Sequence, residues 1–485
     1  VNLLLVTLDQ FRGECLSAAG HRLARTPNLD RLAAAGVRFN RHYSQAAPCS
    51  PGRACLYTGT YQMNNRVVAN GTPLDERFDN LARAGRRAGL DPTLFGYTDQ
   101  GVDPRTVQSR DDPRLSSYEG VLPGFRVELD LSGGHAPWIE WLRDLGYDVA
   151  SEADAALESE PERPEQVGVS AFTTNRYIEW LQRQDSPWFA HLSYLRPHPP
   201  YAAAGRFATA VDPDEVDLPL TAGSHRPRFH ELALQLPISA APSDEGELRR
   251  MRAQYYGMIG DVDEQLGRVW DALEQAGQWD ETFVLLTSDH GDQLGDHGLA
   301  GKLGYFEESY RVPGIIRAPG RIEAHGTVVE SFTENIDFFP TICEALGIEI
   351  PARCDGLPLT AFLENREPPW WRDAASWEFD WRHLSLPEGA FDWPWDRHLE
   401  KDHLAVRRFD RAAYVQFGDG SWRCYDLEAD PSWRTEVEDC SAILGYAQSM
   451  LAWRGEHADR SLTSFLLENG GVGRWPAGSM LARTD

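Results

Sequence analysis

Two near-continuous apolar runs, each ending on an acidic residue, constrain the fold of this chain more than any other feature. Val1 to Leu8 stops at Asp9, and Glu281 to Thr287 passes through Ser288 into Asp289. A run that is apolar on both faces is buried from both sides, as in a parallel strand covered by helices. The segments after the first run keep that rhythm. Thr26 to Gly36 reads as a loop, a helix and a glycine stop, and Val37-Arg38-Phe39 opens an extended piece. Cys49 to Gly59 reads as one helix, residues 79 to 88 as another closed by Gly89, and Pro92 to Tyr97 as a short strand. The expected architecture is α/β, a central mostly parallel sheet flanked by helices.

From about 99 to 170 the periodicity fades among Asp, Pro and Gly, and an irregular insertion near the mouth of a site is expected there. Residues 175 to 184 then read as a helix and Trp188 to Tyr194 as a core strand. The polar stretch 201 to 247 reads as loop followed by helix, and 250 to 276 as a long amphipathic helix stopped by Gly277. Beyond Pro340 the pattern changes. Residues 374 to 426 are aromatic and alternate at 404–408 and 413–417, which predicts a smaller antiparallel sheet, followed by a helix near 440 to 457 and a polar tail. A catalytic part over 1–370 and a smaller C-terminal α+β part over 371–485 are expected, the latter a candidate self-association surface. No repeat or low-complexity tract is evident.

The 485 residues carry a net charge of −27, which repels nucleic acid and anionic membranes. An anionic substrate then requires a metal and a few buried cations to reverse the field locally. Seven cysteines without regular spacing do not form a disulfide framework, so a reducing, cytoplasmic setting is expected. The opening run is too short for a signal or membrane segment.

Asp9-Gln10 and Asp289-His290 each follow a predicted strand, and in open parallel sheets sites form at the carboxyl edge. Asp after a strand also serves in turns, but the two pairs together offer two carboxylates, an amide oxygen and an imidazole. Such a set suits one divalent cation, Mn²⁺ or Ca²⁺. His290 to His297 is a Gly-rich loop, followed by Lys302 between Gly301 and Leu303. A two-metal alternative needs Asp292, Asp296 and His297 to converge. His198 lies between prolines that keep it out of helix or ladder, where an imidazole can hand a proton to a leaving oxygen. Cys49 heads a predicted helix whose N-terminus favours an anion, with Arg53 one turn along. Cys55, His21, His42, His135, His225, His230 and His457 receive no role.

With these motifs the sequence resembles the alkaline phosphatase superfamily, in its sulfatase and phosphonate monoester hydrolase branch. The resemblance runs from Leu4–Gln10 through Thr26–Asp30 and Cys49-Ser50-Pro51-Gly52-Arg53 to Thr287–Asp292, Val312–Ile316, Asn335–Thr341 and Tyr425–Pro431. It implies that a separate modifying enzyme oxidises Cys49 to formylglycine, whose metal-held aldehyde hydrate attacks sulfur or phosphorus. It further implies Asp9, Gln10, Asp289 and His290 as metal ligands, Arg53 as support of the formylglycine, and Asn70, His198 and Lys302 around the substrate. Members form dimers or tetramers, so a homo-oligomer acting on a small anionic ester is expected. Common arylsulfatases carry Asp-Asp, Asp-Asn and Lys-x-His where this chain has Asp9-Gln10, Asp289-His290 and Tyr97-Thr98-Asp99. Gln10, His290 and Tyr97 lean toward the phosphonate monoester hydrolases. Asp99 fits neither group and is assigned to the substrate side with Tyr97. The leading expectation is hydrolysis of aryl sulfates, with phosphonate monoesters and phosphodiesters as the alternative for the same site.

Overall fold

A computed structural model describes residues 1–223, 226–382, 384, 400–458, 466–468 and 471–474. His225 and most of the predicted tail lie outside the described residues. The main sheet has eight strands: β1 (Asn2–Leu8), β2 (Val37–Tyr43), β3 (Thr93–Gly96), β4 (Arg126–Asp130), β5 (Phe189–Tyr194), β6 (Thr282–Thr287), β7 (Ile315–Arg317) and β8 (Thr327–Glu334). Their order is β4-β3-β5-β1-β6-β7-β2-β8, and β7 alone runs antiparallel to its neighbours. Every residue of β1, β5 and β6 is buried, as both-faced apolar runs require. Separate hydrophobic clusters cover the two faces of β1, one packed on Leu4, Val6 and Leu8 and the other on Leu3 and Leu5.

The strands β3, β5, β1 and β6 are adjacent and parallel, so the loops after them leave at one edge. Those loops carry Tyr97–Asp99, Arg196–Tyr201, Asp9-Gln10 and Asp289-His290. The second sheet is antiparallel, β9 (Ala374–Asp380), β10 (His403–Phe409), β11 (Ala412–Phe417) and β12 (Trp422–Asp426), as the alternation predicts. It packs through Trp377, Phe379 and Val406 into a cluster with Tyr43, Tyr305 and Tyr310 of the first part. The helix Cys440–Glu456 follows, then the two short strands Leu466–Glu468 and Gly471–Arg474.

Two sequence expectations need correction. The stretch 99–170 is not merely irregular: β4 forms the sheet edge, and helices cover Ala136–Asp144 and Ala153–Glu158. Only Leu129 of β4 is buried, so the strand lacks the apolar alternation that reveals half-buried strands. The helix expected at 175–184 spans Val169–Leu181, because Thr173 and Thr174 are buried on it and return their hydroxyls to the carbonyls of Val169 and Ser170. The long helix runs Glu245–Gln275, capped by Asp244, whose side chain accepts from the Glu247 amide at 2.8 Å.

Candidate active site

Cys49 is the first residue of the helix Cys49–Thr58, which ends at Gly59 in the left-handed region at φ 66°. The helix start is pressed against the end of β6. A Cβ on Gly52 would lie 2.4 Å from the Asp289 carbonyl oxygen and 2.9 Å from that of Ala46, so no larger residue fits. One turn after Cys49, the fully buried Arg53 reaches into the strand ends. Its Nε donates to Asp289 Oδ2 at 2.9 Å, and another nitrogen donates to Asp9 Oδ2 at 3.1 Å. The remaining donor reaches the Tyr97 carbonyl at 3.0 Å and Ser193 Oγ at 2.9 Å. The guanidinium also lies 4.4 Å from the centre of the Tyr97 ring.

The ligand atoms of Asp9, Cys49, Asp289 and His290 lie within 4.8 Å of one another, all buried. His290 Nδ1 donates to the Gly291 carbonyl at 3.0 Å, which leaves Nε2 as a lone pair 3.4 Å from Cys49 Sγ. Gln10, held at φ 67°, gives its amide nitrogen to Asp292 Oδ2 at 2.6 Å. Its Oε1 is buried without a partner. An unpartnered acceptor of that kind costs free energy unless a cation or water meets it. Two carboxylates, an imidazole nitrogen and an unpartnered amide oxygen make a donor set that fits a divalent cation in atom type.

Lys302 Nζ stands 3.1 Å from Cys49 Sγ and 2.9 Å from His198 Nε2. His198 Nδ1 donates to the Pro199 carbonyl at 2.7 Å, so Nε2 accepts from the ammonium. Burial and Lys302 push the imidazole down to about 3. Burial alone would lower Lys302 too, but the facing Cys49, Asp9 and Asp289 raise it above its ordinary value. Burial opposes ionisation of Asp9, yet the surrounding His198, Arg53, Lys302 and His290 hold its carboxyl well below the usual range. Burial and Asp9 raise the Cys49 thiol well above its ordinary value, so the unmodified side chain is protonated and a weak nucleophile. The Tyr97 phenol, raised by burial and Asp9, donates to Asp9 Oδ2 at 2.7 Å.

Asp99 is buried in the left-handed region at φ 51°, 3.7 Å from Arg53 Nε. Burial pushes its carboxyl up to about 7 against the pull of Arg53. Asn70 turns its carbonyl oxygen to the Ser50 amide at 3.0 Å, so it supports the start of the Cys49 helix as well as standing beside the site. Asp292, Asp296 and His297 do not converge on a second metal. Asp292 accepts from Gln10, Tyr201, Leu294 and Gly301; Asp296 pairs with Arg12 at 2.6 Å; His297 stacks on Phe306 at 3.6 Å. Among the described residues, the group around Cys49 is the one cluster of three or more such ligands. Sequence reading missed Ser193, which fixes Arg53, and the Tyr201–Asp292 pair that orients Gln10. Neither carries a motif, and only the alignment of neighbouring strand ends brings them in.

The family model described as "Sulfatase" matches residues 1–348, and "N-sulphoglucosamine sulphohydrolase, C-terminal" matches 295–450. The multifunctional alkaline phosphatase superfamily protein PehA of Trinickia caryophylli is 36% identical, covering 96% of this chain and 97% of its own. The crystal structure of the phosphonate monoester hydrolase of Agrobacterium radiobacter superposes with a TM-score of 0.88 at 41% identity, over 98% of this chain and 99% of that one. The phosphonate monoester hydrolase from Silicibacter pomeroyi gives 0.85 at 31% identity over the same shares. No helix among the described residues is long and apolar enough to cross a membrane.

Proposed function

This chain belongs to the sulfatase family, a hydrolase of its sulfatase and phosphonate hydrolase branch, and from that premise we propose that it cleaves phosphonate monoesters and phosphodiesters, with sulfate monoesters second. The 2.7 Å hydrogen bond from Tyr97 to Asp9 carries the choice of a monoanionic ester over a phosphate monoester, and the likeness to two phosphonate monoester hydrolases supports phosphorus over sulfur. That bond fills with a neutral phenol the wall where common arylsulfatases carry a lysine, and Asp99 stands where they carry a histidine. A pocket with one ammonium, Lys302, suits a monoanionic centre and disfavours a phosphate monoester dianion. The sequence alone led with aryl sulfates; the likeness to two phosphonate monoester hydrolases above 30% identity moves the weight to the alternative.

Asp9, Gln10, Asp289 and His290 would hold the cation, and the imidazole favours Mn²⁺ over Ca²⁺. Bound there, a divalent ion supplies Lewis-acid stabilisation of the transferring group. Oxidation of Cys49 to formylglycine would supply, where the thiol stands, a nucleophilic hydroxyl whose covalent link later breaks by C–O cleavage. The chain's own residues do the rest. Arg53 fixes both carboxylates so that they face the cation side. Lys302 neutralises the transferring anion beside Cys49. The ammonium of Lys302, held at 2.9 Å by His198 Nε2, carries the proton that can pass to the departing oxygen. A homo-oligomer in the cytoplasm completes the reading.

The test uses protein co-expressed with the modifying enzyme and loaded with Mn²⁺. Rates are compared on p-nitrophenyl phenylphosphonate, bis-p-nitrophenyl phosphate, p-nitrophenyl sulfate and p-nitrophenyl phosphate. The first two should exceed the sulfate in kcat/KM by about tenfold, a difference of ~1.4 kcal/mol in transition-state binding. The monoester dianion should be slowest. A sulfate rate above both phosphorus esters would return the assignment to arylsulfatase.

A further inference from the structure

The loop that carries His198 is built from prolines and leaves β5 directly, so its course depends on what holds its carbonyl groups. Arg196 does this from beneath. Its guanidinium, 1% exposed, donates to the carbonyls of His198 at 2.8 Å, Pro200 at 2.9 Å and Ala202 at 3.2 Å. The other edge of the fork pairs with Glu160, also 1% exposed, with Nε 3.0 Å from Oε2 and a second, shorter contact from the terminal nitrogen. Glu160 is anchored in turn by accepting from the Val169 amide at 2.7 Å, at the start of the helix Val169–Leu181.

A buried Arg–Glu pair is not a reason for stability by itself, because desolvating both ions offsets their attraction. This pair does something more specific: every donor of Arg196 is committed to one loop or to the carboxylate that orients it. That loop serves both sides of the centre. Its His198 Nε2 meets Lys302 at 2.9 Å, and its Tyr201 hydroxyl donates to Asp292 Oδ2 at 2.8 Å, the same oxygen that orients Gln10.

We propose that Arg196 and Glu160 are positioning residues that set His198 against the Lys302 ammonium, and so aim its proton at the leaving oxygen, by clamping the carbonyls of residues 198, 200 and 202. The proposal rests on the reading of Lys302, oriented by His198, as the proton donor. Misplacing a catalytic group by about 1 Å costs on the order of 10²-fold in rate. The loss should grow as the leaving group becomes more basic, because a poor leaving group needs the proton most.

The experiment measures kcat/KM of metal-loaded, modified protein on p-nitrophenyl and phenyl esters of the same phosphonate. The variants are Arg196→Lys, Glu160→Gln, His198→Ala and each clamp change combined with His198→Ala. Thermal unfolding and metal content report on folding. Arg196→Lys and Glu160→Gln should each lose at least about tenfold more on the phenyl ester than on the p-nitrophenyl ester. In the His198→Ala background neither should widen that gap further, since residues acting through one group are not additive. Glu160→Gln keeps the shape of the anchor and answers for Arg196→Lys should the latter unfold. Equal losses on both esters, or a gap that widens further without His198, would overturn the clamp. If His198→Ala itself loses both esters equally, the proton-donor reading falls and the clamp with it; if His198→Ala shows the split and the clamp variants do not, the clamp alone falls.

Discussion

The two halves of the centre differ in burial and in construction: the strand-end side chains are fully buried, whereas His198 and Lys302 are only half-buried. The acidic half, Asp9 and Asp289 with Gln10 and His290, leaves the ends of two paired strands whose register is fixed over six residue pairs. The other half, His198 and Lys302, hangs on loops shaped by prolines and glycines and meets the first across Cys49 Sγ. Strand ends are rigid and bring charges of one sign together at a cost that only a cation offsets. Loops can be tuned, but each needs its own restraint, such as the Arg196 clamp or the Pro199 carbonyl that fixes the His198 tautomer. The proposed function then implies a division of labour, with geometry from the sheet and substrate preference from the loops.

Four perturbations separate the halves. Cys49→Ala removes the point where they meet, and turnover should fall by at least about 10⁴-fold with the far-UV spectrum unchanged, as for the loss of a nucleophile. A smaller loss would mean that the strand-end half activates water unaided. Stripping the cation with a chelator should abolish most activity and lower the melting temperature by about 2 °C or more, because a ligand bound only by the folded state stabilises it. Asp289→Asn should remove the chelator's effect on melting; if the shift persists in that variant, the cation lies elsewhere. Lys302→Ala touches only the loop half and should cost on the order of 10²-fold in kcat/KM while leaving metal content intact.

The smallest effect concerns Asp99. Its carboxyl, pushed up to about 7, is neutral below that pH and repels a bound anion once ionised above it. Activity of the wild type should therefore fall as pH rises through about 7, and Asp99→Asn should flatten that limb by a few-fold. The sign for stability runs the same way. A carboxyl whose folded value exceeds its unfolded one binds more protons when folded, so its contribution declines from about pH 4 to 7 and the asparagine variant is relatively more stable at pH 8. An unchanged pH profile would remove Asp99 from the substrate side.

The strand-end half was legible in sequence because two both-faced apolar runs stop at Asp and, taken together with Cys49, point to one site, and the Cys49 helix because Gly59 and the one-turn spacing to Arg53 mark it. The supports were not. Ser193, Arg196 and Tyr201 sit among ordinary loop and strand residues, and Glu160 belongs to a stretch whose weak periodicity hid even the edge strand β4. Their roles depend on which strands become neighbours, which no local pattern states. The wall made by Tyr97 and Asp99 was visible as a departure from arylsulfatases, yet what fills it, a phenol bound to Asp9, is a fact of three dimensions.

The contact at Gly52 bears on the order of events in the life of the chain. With its backbone jammed against the Asp289 carbonyl and Cys49 only 5% exposed, the helix start admits no second protein once the sheet has formed. On the proposed reading, an enzyme that oxidised Cys49 would have to reach the segment while it is still extended. The interval between synthesis and packing of this one helix would then set what fraction of molecules becomes active.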